Sequence, residues 1–540
     1  MDLMRRFRRQ ERSWPPWALN IAVTLFLVAF LNLTFFRHAA EVYLDTRPAF
    51  LASLALLVAC LTLLLVTLLD SRMTRKPLLV TLLLASSLAA YFMDQYNVAI
   101  DTEMIRNAVQ TNAEETRELF SPGLFLYLLL LGFLPSLFVA WIRVDRQPLR
   151  RALLSKLTVV GILLALTVTQ LLAFNRTYAS FFREHKPLRY HVNPLAVLVS
   201  AARYGAHAVA VPRSGVEPLG TDARIPSEDL DRELIIFVVG ETARADHFSL
   251  NGYPRPTNPK LALERVISLT RMSACGTSTA VSLPCMFSIK PRKGFRTADA
   301  PYSENLLDVV THAGVRVLWR DNNTGHKGIA DRVKYQDFRS PDLNPVCDDE
   351  CRDEGMLADL QQYVDGTPDG DILIVLHQMG NHGPAYYKRY PRAFERFSPV
   401  CRTVELGDCE VEEIANAYDN AILYTDHFLS QVIRFLEEND DRFETCLFYA
   451  SDHGESLGEH GLYLHGMPAL MAPPEQTHVG AFLWFGGNFE DVDPEAVRAL
   501  ADEPYSHDHV FHTVLGLLEV ESEVYDPGLD ILALARAARE

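Results

Sequence analysis

The sequence predicts a chain in two parts: an α-helical membrane domain of five spans, followed by an α/β domain built on a mainly parallel sheet. Residues 17–174 contain long apolar runs without charged residues, whereas residues 215–540 form an acidic sequence of ordinary globular composition. In that second part, short apolar runs alternate with helical patterns, as they do in α/β domains. We therefore predict a transmembrane domain over 1–174, an interfacial linker over 175–214 and a globular domain over 215–540.

The composition separates this chain from two broad classes of protein. Its 540 residues are 49% hydrophobic and 22% charged, which is too polar for a chain that is embedded in a membrane throughout. The formal net charge is −17, and this excludes nucleic acid as the main partner, because a phosphate backbone requires a basic surface.

Five apolar runs of 17 to 22 residues lack Asp, Glu, Lys, Arg and His altogether. A helix needs about 20 apolar residues to cross the hydrocarbon core of a bilayer. The predicted spans are Trp17–Phe36, Pro48–Leu69, Pro77–Met93, Ser121–Ile142 and Leu157–Phe174. We expect Pro135 to kink the fourth span, because proline donates no backbone hydrogen bond. Since transporters place ionisable groups within their spans, the absence of charge favours an anchor over a transporter.

Basic residues cluster on one side of these spans. They occur in the N-terminal tail and in the loops after the second and fourth spans: Arg5, Arg6, Arg8, Arg9, Arg12, Arg72, Arg75, Lys76, Arg143, Arg146, Arg150 and Arg151. Basic loops stay in the cytoplasm. We therefore predict a cytoplasmic N-terminus, with the chain after Phe174 outside, which in a Gram-negative cell means the periplasm. The aromatic and basic residues of 176–215 are typical of an interfacial linker, and equally of an ordinary one.

Six of the eight cysteines form three close pairs along the sequence. The pairs are Cys275 with Cys285, Cys347 with Cys351, and Cys401 with Cys409. Six cysteines allow fifteen connectivities, among which the sequence cannot choose, although pairing of nearest neighbours is the simplest. An oxidising compartment favours disulfides. The alternative is a zinc site, but the spacings do not match the usual zinc-binding patterns. Cys60 and Cys446, which lie in apolar runs, are predicted to remain free.

Four apolar runs of the globular part share one design, because polar or titratable residues follow each of them. The runs are Leu234–Val239, Val315–Trp319, Ile372–Leu376 and Cys446–Ala450. Short continuous apolar runs predict strands buried on both faces, in a parallel sheet covered by helices such as Val411–Glu438. Such sheets bind ligands beyond the carboxyl ends of their strands. The residues that follow the runs are therefore candidates for a functional site.

Glu241, Asp452 and His453 form a candidate metal site within that set. Two carboxylates and one imidazole are ligands that zinc or manganese accepts, and zinc completes a tetrahedral set with a fourth oxygen. Each residue alone has an ordinary explanation, as a loop carboxylate or part of a turn. Their occurrence together at strand ends is what favours a metal.

The segment between Cys275 and Cys285 is small and rich in hydroxyl groups. A helix that begins here would present free N–H groups and the positive end of its dipole to an anion. A hydroxyl that binds zinc loses its proton more readily and can attack phosphorus. The composition leaves open whether this hydroxyl belongs to Thr277, Ser278, Thr279 or Ser282. A helix cap with spare hydroxyl groups is the alternative.

Five longer stretches carry a resemblance to a known family. They are VVGETARADHFSLNGYPRPTNP (238–259), SACGTSTAVSLPCMFS (273–288), RDNNTGHKG (320–328), HQMGNHGPAYYKRY (377–390) and ASDHGESLGEHGLYLHGMP (450–468). With these stretches, and over its whole length, the chain resembles the lipid A phosphoethanolamine transferases of Gram-negative inner membranes, including the mobile colistin-resistance enzymes. The resemblance implies an alkaline-phosphatase-like α/β catalytic domain in the periplasm behind five spans.

The resemblance also implies roles for individual residues. The zinc ligands of the family fall on Glu241, Thr279, Asp452 and His453, and Thr279 is also the nucleophile. His382 and His465 match histidines near the transferred phosphate, where a second zinc sometimes binds. Thr324 and Lys327 match positions that line the substrate pocket, whereas Asn107, Thr111 and Glu115 match residues that hold the ethanolamine end. The family pairs its cysteines locally.

The implied reaction is a two-step exchange. Zinc-bound Thr279 attacks the phosphorus of phosphatidylethanolamine, diacylglycerol leaves, and the phosphoethanolamine group then passes to a phosphate of lipid A. Zinc, His382, His465 and Lys327 would stabilise the charge, and either histidine could transfer the proton. The added amine weakens the attraction of lipid A for polymyxins and other cationic peptides. We expect a monomer with one tightly bound zinc.

Four other functions compete with this one. A transferase that acts on core sugars or Kdo would have the same fold and chemistry. A sulfatase requires Cys or Ser followed by x-Pro-x-Arg, which the residues after Thr279 do not provide. A hydrolytic phosphatase would not need five spans. A membrane scaffold without activity is the alternative from a different class.

Overall fold

The computed structural model describes residues 13–111, 113–209, 215–227, 229 and 231–537, and these form two compact units. The first unit runs to Ile105 and resumes over Phe120–Ala206, whereas the second comprises Arg106–Leu119 and the chain from His207 onward. The basic tail from Arg5 to Arg12 and residues 210–214 of the predicted linker lie outside the described residues. The domain boundaries at 174 and 214 stay predictions.

The first unit is helical. Its helices are α1 (Pro16–Phe30), α2 (Leu33–Tyr43), α3 (Pro48–Leu69), α4 (Arg75–Tyr96), α7 (Pro122–Tyr127), α8 (Leu134–Trp141), α9 (Leu149–Ala173), α10 (Asn175–Glu184) and α11 (Leu195–Val209); α5 (Thr102–Gln110) and α6 (Ala113–Glu118) lie in the intervening segment. Among the described residues, four continuous helices are long and apolar enough to cross a membrane, and the bent pair α1 and α2 makes a fifth. The prediction of a helical membrane domain with five spans is confirmed on this count.

The first predicted span, Trp17–Phe36, is broken rather than continuous. Helices α1 and α2 meet at a bend of 61°. Asn32 lies in the break, where its side-chain amide donates to the carbonyls of Leu27 (3.0 Å) and Asn193 (2.7 Å). A buried amide with these partners satisfies carbonyl groups that a continuous helix would pair internally, so the bend leaves fewer backbone groups without hydrogen bonds.

The fourth predicted span contains a turn of π-helix. Residues Leu128–Phe133 are π-helical between α7 and α8, and Pro135 lies at the start of α8. Because proline has no N–H group, the α-helical hydrogen-bond ladder cannot continue through it, and a π turn absorbs the interruption. The irregularity expected from Pro135 therefore lies on its N-terminal side.

The second unit is built on a seven-stranded sheet in the order β2-β10-β7-β1-β6-β4-β5. The strands of the unit are β1 (Glu233–Gly240), β2 (Ile267–Ser268), β3 (Met272–Ser273), β4 (Arg316–Asp321), β5 (Lys334–Asp337), β6 (Ile372–His377), β7 (Glu444–Ser451), β8 (Ser456–Leu457), β9 (Tyr463–Leu464), β10 (Ala481–Phe485) and β11 (Tyr505–Ser506). All neighbours in the sheet are parallel except β10, which is antiparallel to β7 and β2. The four predicted strands and the mainly parallel sheet are confirmed.

Both faces of the sheet are covered. Ile235, Phe237 and Val239 of β1 belong to one buried apolar cluster, whereas the alternate residues Leu234 and Ile236 belong to the other. Since successive side chains of a strand point to opposite faces, a strand between two buried layers is apolar at every position. This geometry explains the continuous apolar run that the sequence shows.

Helices form the covering layers. They are α12 (Thr279–Met286), α13 (Leu306–His312), α14 (Leu360–Asp365), α15 (Val411–Glu437), α16 (Pro474–Thr477), α17 (Pro494–Ala499), α18 (Val510–Leu517) and α19 (Ala533–Ala537). The long α15 begins with a capping box, in which Glu410 and Glu413 each bind the backbone N–H group of the other.

Three local disulfides confirm the simplest of the predicted pairings. They join Cys275 to Cys285, Cys347 to Cys351, and Cys401 to Cys409. Cys60 and Cys446 are free and buried, as predicted.

Candidate active site at the carboxyl end of the sheet

The carboxyl ends of the central strands bring the predicted metal ligands together. Glu241 follows β1 directly, while Asp452 and His453 follow the adjacent parallel strand β7. All three side chains are fully buried. One ligand atom from each lies within 4.8 Å of the ligand atoms of the other two.

The unsatisfied atoms of this cluster fit a cation. Oε1 of Glu241 and Oδ2 of Asp452 are buried without a hydrogen-bond partner in the described structure. Nδ1 of His453 lies 2.9 Å from the carbonyl of Gly454, so it carries the proton and leaves the lone pair on Nε2. Nε2 in turn lies 3.4 Å from Oε1 of Glu241 and 3.5 Å from Oδ2 of Asp452. Buried oxygens without donors and one imidazole lone pair form a donor set for a divalent metal.

Burial sets the protonation of these groups in the absence of a metal. Burial, followed by the neighbouring charge of Asp452, raises the pKa of Glu241 to about 7. Burial also raises the pKa of Asp452 to about 6. The pKa of His453 falls to about 4, first through burial and then through the charge of His465, so the imidazole is neutral near pH 7. A neutral imidazole is the form that binds metal ions.

Thr279 contributes the hydroxyl that faces this cluster. It is the first residue of α12, and its Oγ1 donates to Oε2 of Glu241 over 3.0 Å. The same oxygen lies 3.4 Å from Nε2 of His453. The hydroxyl thus lies beside the ligand atoms and at the N-terminal end of a helix, where the helix dipole stabilises negative charge.

The other candidate hydroxyls have different partners. Thr277 donates to the carbonyl of Met467 over 2.7 Å, and Oγ of Ser282 accepts the backbone N–H of Gly276 over 3.0 Å. These bonds direct both side chains to the loop around the helix. Of the four hydroxyl residues that are candidates from the sequence, Thr279 is the one whose described contacts reach the candidate metal ligands.

Asn323 is a member of the site that the sequence analysis did not single out. Its side-chain amide donates to Oε2 of Glu241 (2.7 Å) and to the carbonyl of Gln378 (2.7 Å). Asn323 is fully buried in the loop after β4. Its signals in the sequence are its position four residues beyond the predicted strand Val315–Trp319 and its place in the stretch RDNNTGHKG, and the carboxylate that it orients follows a different strand.

His382 and His465 extend the cluster outward. The ring of His465 lies 4.4 Å from that of His453 and 5.8 Å from that of His382. Burial, followed by the charge of Arg389, lowers the pKa of His382 well below its ordinary value. Gly380, which precedes this histidine, adopts a φ of +50°, and a Cβ atom there would lie 3.0 Å from the carbonyl oxygen of Glu241. Glycine is therefore required at position 380, where the chain passes the backbone of Glu241.

Thr324 and Lys327 lie in the loop after β4, as their position in the motif predicts. The ammonium of Lys327 donates to the carbonyl of Thr324 over 2.9 Å. Thr324 and His382 both line a cavity of about 390 Å³, together with Asn322 and Met379. The structure thus places Thr324 and His382 around one cavity.

Segment 106–119 joins the globular unit through a buried arginine. Arg389, which is 2% exposed, forms ion pairs with Glu118 and with Glu350 (2.7 Å), and its Nε donates to the carbonyl of His382 over 2.6 Å. Arg117 and Glu118 line the same cavity as His382. The chain that leaves the membrane unit after Ile105 therefore contributes one wall of this cavity.

The three residues that the resemblance assigns to ethanolamine binding are not brought to the metal cluster by described contacts. Asn107 and Thr111 contact each other, since the hydroxyl of Thr111 donates to the carbonyl of Asn107 over 2.9 Å. The side chain of Glu115 lies outside the described part of the structure. Their role stays a prediction.

Two family models match the chain. The model described as phosphoethanolamine transferase EptA/EptB matches residues 57–209, and the model described as sulfatase matches residues 233–520. Together they confirm the fold that the resemblance implied, a membrane domain followed by an alkaline-phosphatase-like, sulfatase-like α/β domain.

Relatives match over nearly the whole chain. The chain is 40% identical to phosphatidylethanolamine transferase Mcr-1 of Escherichia coli, over 95% of this chain and 96% of the relative. It is 37% identical to phosphoethanolamine transferase EptA of Escherichia coli K12, over 97% and 98%. Among solved structures, the integral membrane protein lipooligosaccharide phosphoethanolamine transferase A (EptA) from Neisseria meningitidis has a TM-score of 0.92 at 34% identity, covering 96% of this chain and 98% of the other.

Proposed function

The chain belongs to the lipid A phosphoethanolamine transferase family, and on that premise we propose that it transfers phosphoethanolamine from phosphatidylethanolamine to a phosphate of lipid A through Thr279. It is an inner-membrane phosphoethanolamine transferase that acts on lipid A. The donor lipid, the covalent threonine intermediate, the metal and its number are the proposed parts.

One observation carries the proposal. The hydroxyl of Thr279 lies between Oε2 of Glu241 and Nε2 of His453, at 3.0 and 3.4 Å. A hydroxyl in contact with a carboxylate and with a cluster of metal-binding atoms is a nucleophile that can be activated. A threonine that only capped the helix would direct its oxygen to backbone N–H groups instead.

We propose that zinc is the metal, held by Glu241, Thr279, Asp452 and His453. When bound, zinc lowers the pKa of an oxygen ligand and neutralises charge that develops on a phosphoryl group. Two carboxylates, one hydroxyl and one imidazole complete the tetrahedral set that zinc prefers. One ion accounts for the buried oxygens without donors, and His382 with His465 would contribute to a second if it binds.

The chain's own groups perform the transfer in two balanced steps. Oγ1 of Thr279 loses its proton and forms a bond to the phosphorus of phosphatidylethanolamine, while the bond from phosphorus to the glycerol oxygen breaks. Diacylglycerol leaves after its oxygen takes up a proton. In the second step a phosphate oxygen of lipid A attacks the phosphorus, the bond to Oγ1 breaks, and Thr279 regains its proton. We assign these proton transfers to His382 or His465.

The other predicted site residues would hold the substrates in place. Thr324 and Lys327 would contact the phosphoryl group, and the positive charge of Lys327 would stabilise its oxygens. Asn107, Thr111 and Glu115 would hold the ethanolamine end, because a carboxylate attracts the ammonium of the donor. We propose further that the enzyme acts as a monomer and that the added amine confers resistance to polymyxins and other cationic peptides.

The proposed topology has a cytoplasmic N-terminus and a periplasmic catalytic domain. A protein that fluoresces only in the cytoplasm, fused after Glu540, is expected to stay dark, and bright cells would contradict the orientation.

The function is tested by mass spectrometry of lipid A from cells that express the protein. Lipid A from cells with the wild type is expected to gain phosphoethanolamine on a phosphate, whereas cells with Thr279→Ala should show unmodified lipid A. Thr277→Ala is the matched control, since its hydroxyl bonds to a backbone carbonyl, and it should keep the modification. A phosphoethanolamine group on Kdo or on a core sugar would contradict the proposed acceptor and leave the reaction class intact.

A further inference from the structure

A polar cavity lies at one end of the membrane unit, where α1 and α9 begin, α3 ends and α4 begins. Its volume is about 400 Å³. Four basic side chains and two acidic ones line it, which leaves a net positive charge: Arg72, Arg75, Arg146, Lys156, Asp70 and Asp145. This is the end that the distribution of basic loops predicts to face the cytoplasm.

Two of the basic groups are already engaged within the unit. Arg75 forms an ion pair with Asp70 at 2.8 Å, and the ammonium of Lys156 donates to the carbonyls of Leu68 (2.8 Å) and Asp70 (3.0 Å). Arg72 and Arg146, by contrast, form no ion pair with any residue that the structure describes. The cavity therefore has two arginines available for an anion.

A buried acceptor also lines this cavity. Asn20 is 3% exposed, and its amide nitrogen donates to Oδ2 of Asp70 over 3.0 Å. Its oxygen, Oδ1, is buried and has no hydrogen-bond partner in the described structure. Because a buried acceptor without a donor is costly, the site favours a ligand that brings a hydroxyl or N–H group.

An apolar groove of about 590 Å³ continues from the polar cavity between α1, α3 and α9. Trp17, Leu63, Ser155 and Val159 line both, so the two are contiguous. Along α9 the groove extends from Ser155 to Leu166, which is about 16 Å at the rise of an α-helix. This length is close to half of the ~30 Å hydrocarbon core, which is the depth of one leaflet.

We propose that this cavity and groove form a binding site for phosphatidylglycerol of the leaflet at that end of the unit. The phosphate would lie between Arg72 and Arg146, a glycerol hydroxyl of the head group would donate to Oδ1 of Asn20, and one acyl chain would occupy the groove. The anionic head group matches the net positive charge of the cavity, whereas the ammonium of phosphatidylethanolamine would add a further positive charge. The site is separate from the catalytic residues and does not depend on the proposed transfer reaction.

The test is native mass spectrometry of the full chain in detergent, titrated with phosphatidylglycerol or with phosphatidylethanolamine. We expect one tightly retained phosphatidylglycerol on the wild type, whose retention depends on Arg72 and Arg146. Retention of phosphatidylethanolamine, the donor proposed for the catalytic site, should not depend on these two arginines. Arg72→Gln combined with Arg146→Gln should weaken retention of phosphatidylglycerol about twenty-five-fold, on the scale of about fivefold for each basic contact to an anionic lipid. Arg150→Gln combined with Arg151→Gln is the matched control, because both arginines are exposed in the same region and neither lines the cavity.

A third variant tests the groove separately from the charge. Ala59→Phe places a ring in the groove and should also weaken retention, although the arginines stay in place. Retention of phosphatidylethanolamine that falls as much as that of phosphatidylglycerol when Arg72 and Arg146 are replaced would overturn the proposal. Equal weakening of phosphatidylglycerol retention in the two double variants would also overturn it. If soluble glycerol 3-phosphate, which has no acyl chain, displaced phosphatidylglycerol completely, binding of an acyl chain in the groove would be contradicted.

Discussion

The hydroxyl of Thr279 donates to Oε2 of Glu241 over 3.0 Å, although the two residues belong to different elements, the start of a helix and the end of a strand. Glu241 therefore presents one oxygen to the hydroxyl and keeps the other, Oε1, for the metal cluster. This division of one carboxylate connects the proposed nucleophile to the proposed metal ligands. It also makes the orientation of the Glu241 side chain a point on which activity depends.

Asn323 holds that orientation, and its loss should weaken metal binding. In Asn323→Ala the donor to Oε2 of Glu241 disappears, and the carboxylate can rotate away from its position. Residues that orient metal ligands contribute about 10–100-fold to metal affinity. We expect a loss of that size in a zinc titration against a competing chelator. Thr324→Ala, at the next position, should keep the affinity of the wild type, and an equal loss in both variants would contradict the role of Asn323.

The central part of this site could be predicted from the sequence, because each candidate metal ligand follows a strand that is buried on both faces. Such a strand is apolar at every position and is therefore recognisable in the sequence. Glu241, Asp452 and His453 are these ligands. The direction of β10 could not be predicted, since a short apolar run looks the same in a parallel and an antiparallel strand. The bond from Asn323 to Glu241 could not be predicted either, because it joins two loops that only the strand order brings together.

The contact of Glu118 with Arg389 could not be predicted from the sequence either, because the two residues are far apart in the chain and each looks like an ordinary surface charge. Arg389 is nevertheless buried between two carboxylates. Removing one partner of a buried ion pair costs about 3–5 kcal/mol, because it leaves charge without compensation. We expect Arg389→Met to lower the free energy of unfolding of the full chain by about this amount, measured as a lower denaturation midpoint.

Arg402 provides the control for that variant. Its ion pair with Glu395 is at the surface, with the arginine side chain 54% exposed. Exposed pairs contribute about 0–1 kcal/mol, so Arg402→Met should change the midpoint little. Equal effects of the two arginine substitutions would show that burial of Arg389 does not contribute to stability.

A pair of buried carboxyls at the other end of the sheet predicts a dependence of stability on pH. Glu233 and Asp371 are 1% and 4% exposed, and burial, followed by Asp371, raises the pKa of Glu233 above the 4.5 of an unperturbed glutamate. The folded state therefore holds this proton more tightly than the unfolded state. Its contribution to stability is complete below pH 4.5 and is lost as the pH rises toward the raised pKa.

Glu233→Gln should reduce this dependence. The variant is expected to melt at a higher temperature than the wild type at about pH 8, with a smaller fall in melting temperature as the pH rises from about 5. Glu523→Gln, which changes an exposed carboxyl, should follow the wild type. A wild-type melting temperature that rises over this range, with no difference between the two variants, would contradict the sign of the effect.

The free cysteines can be counted directly. Alkylation of the denatured, non-reduced protein should label Cys60 and Cys446 and leave the other six cysteines unlabelled. The native protein should resist labelling at Cys446, because burial raises the pKa of its thiol well above the ordinary value and little thiolate forms. Peptide mapping that finds a long-range pair would refute the local disulfides.

The proposed reaction requires Thr279 as the nucleophile, and intact-mass analysis of the purified protein with phosphatidylethanolamine tests this role. The wild type should gain the mass of one phosphoethanolamine group, mapped to Thr279, and Thr279→Ser should retain part of this adduct because it keeps an oxygen. Thr279→Ala should fold, bind zinc more weakly through Glu241, Asp452 and His453, and gain no adduct. An adduct that persists in Thr279→Ala, or that maps to Ser278 or Ser282 in the wild type, would contradict Thr279 as the nucleophile.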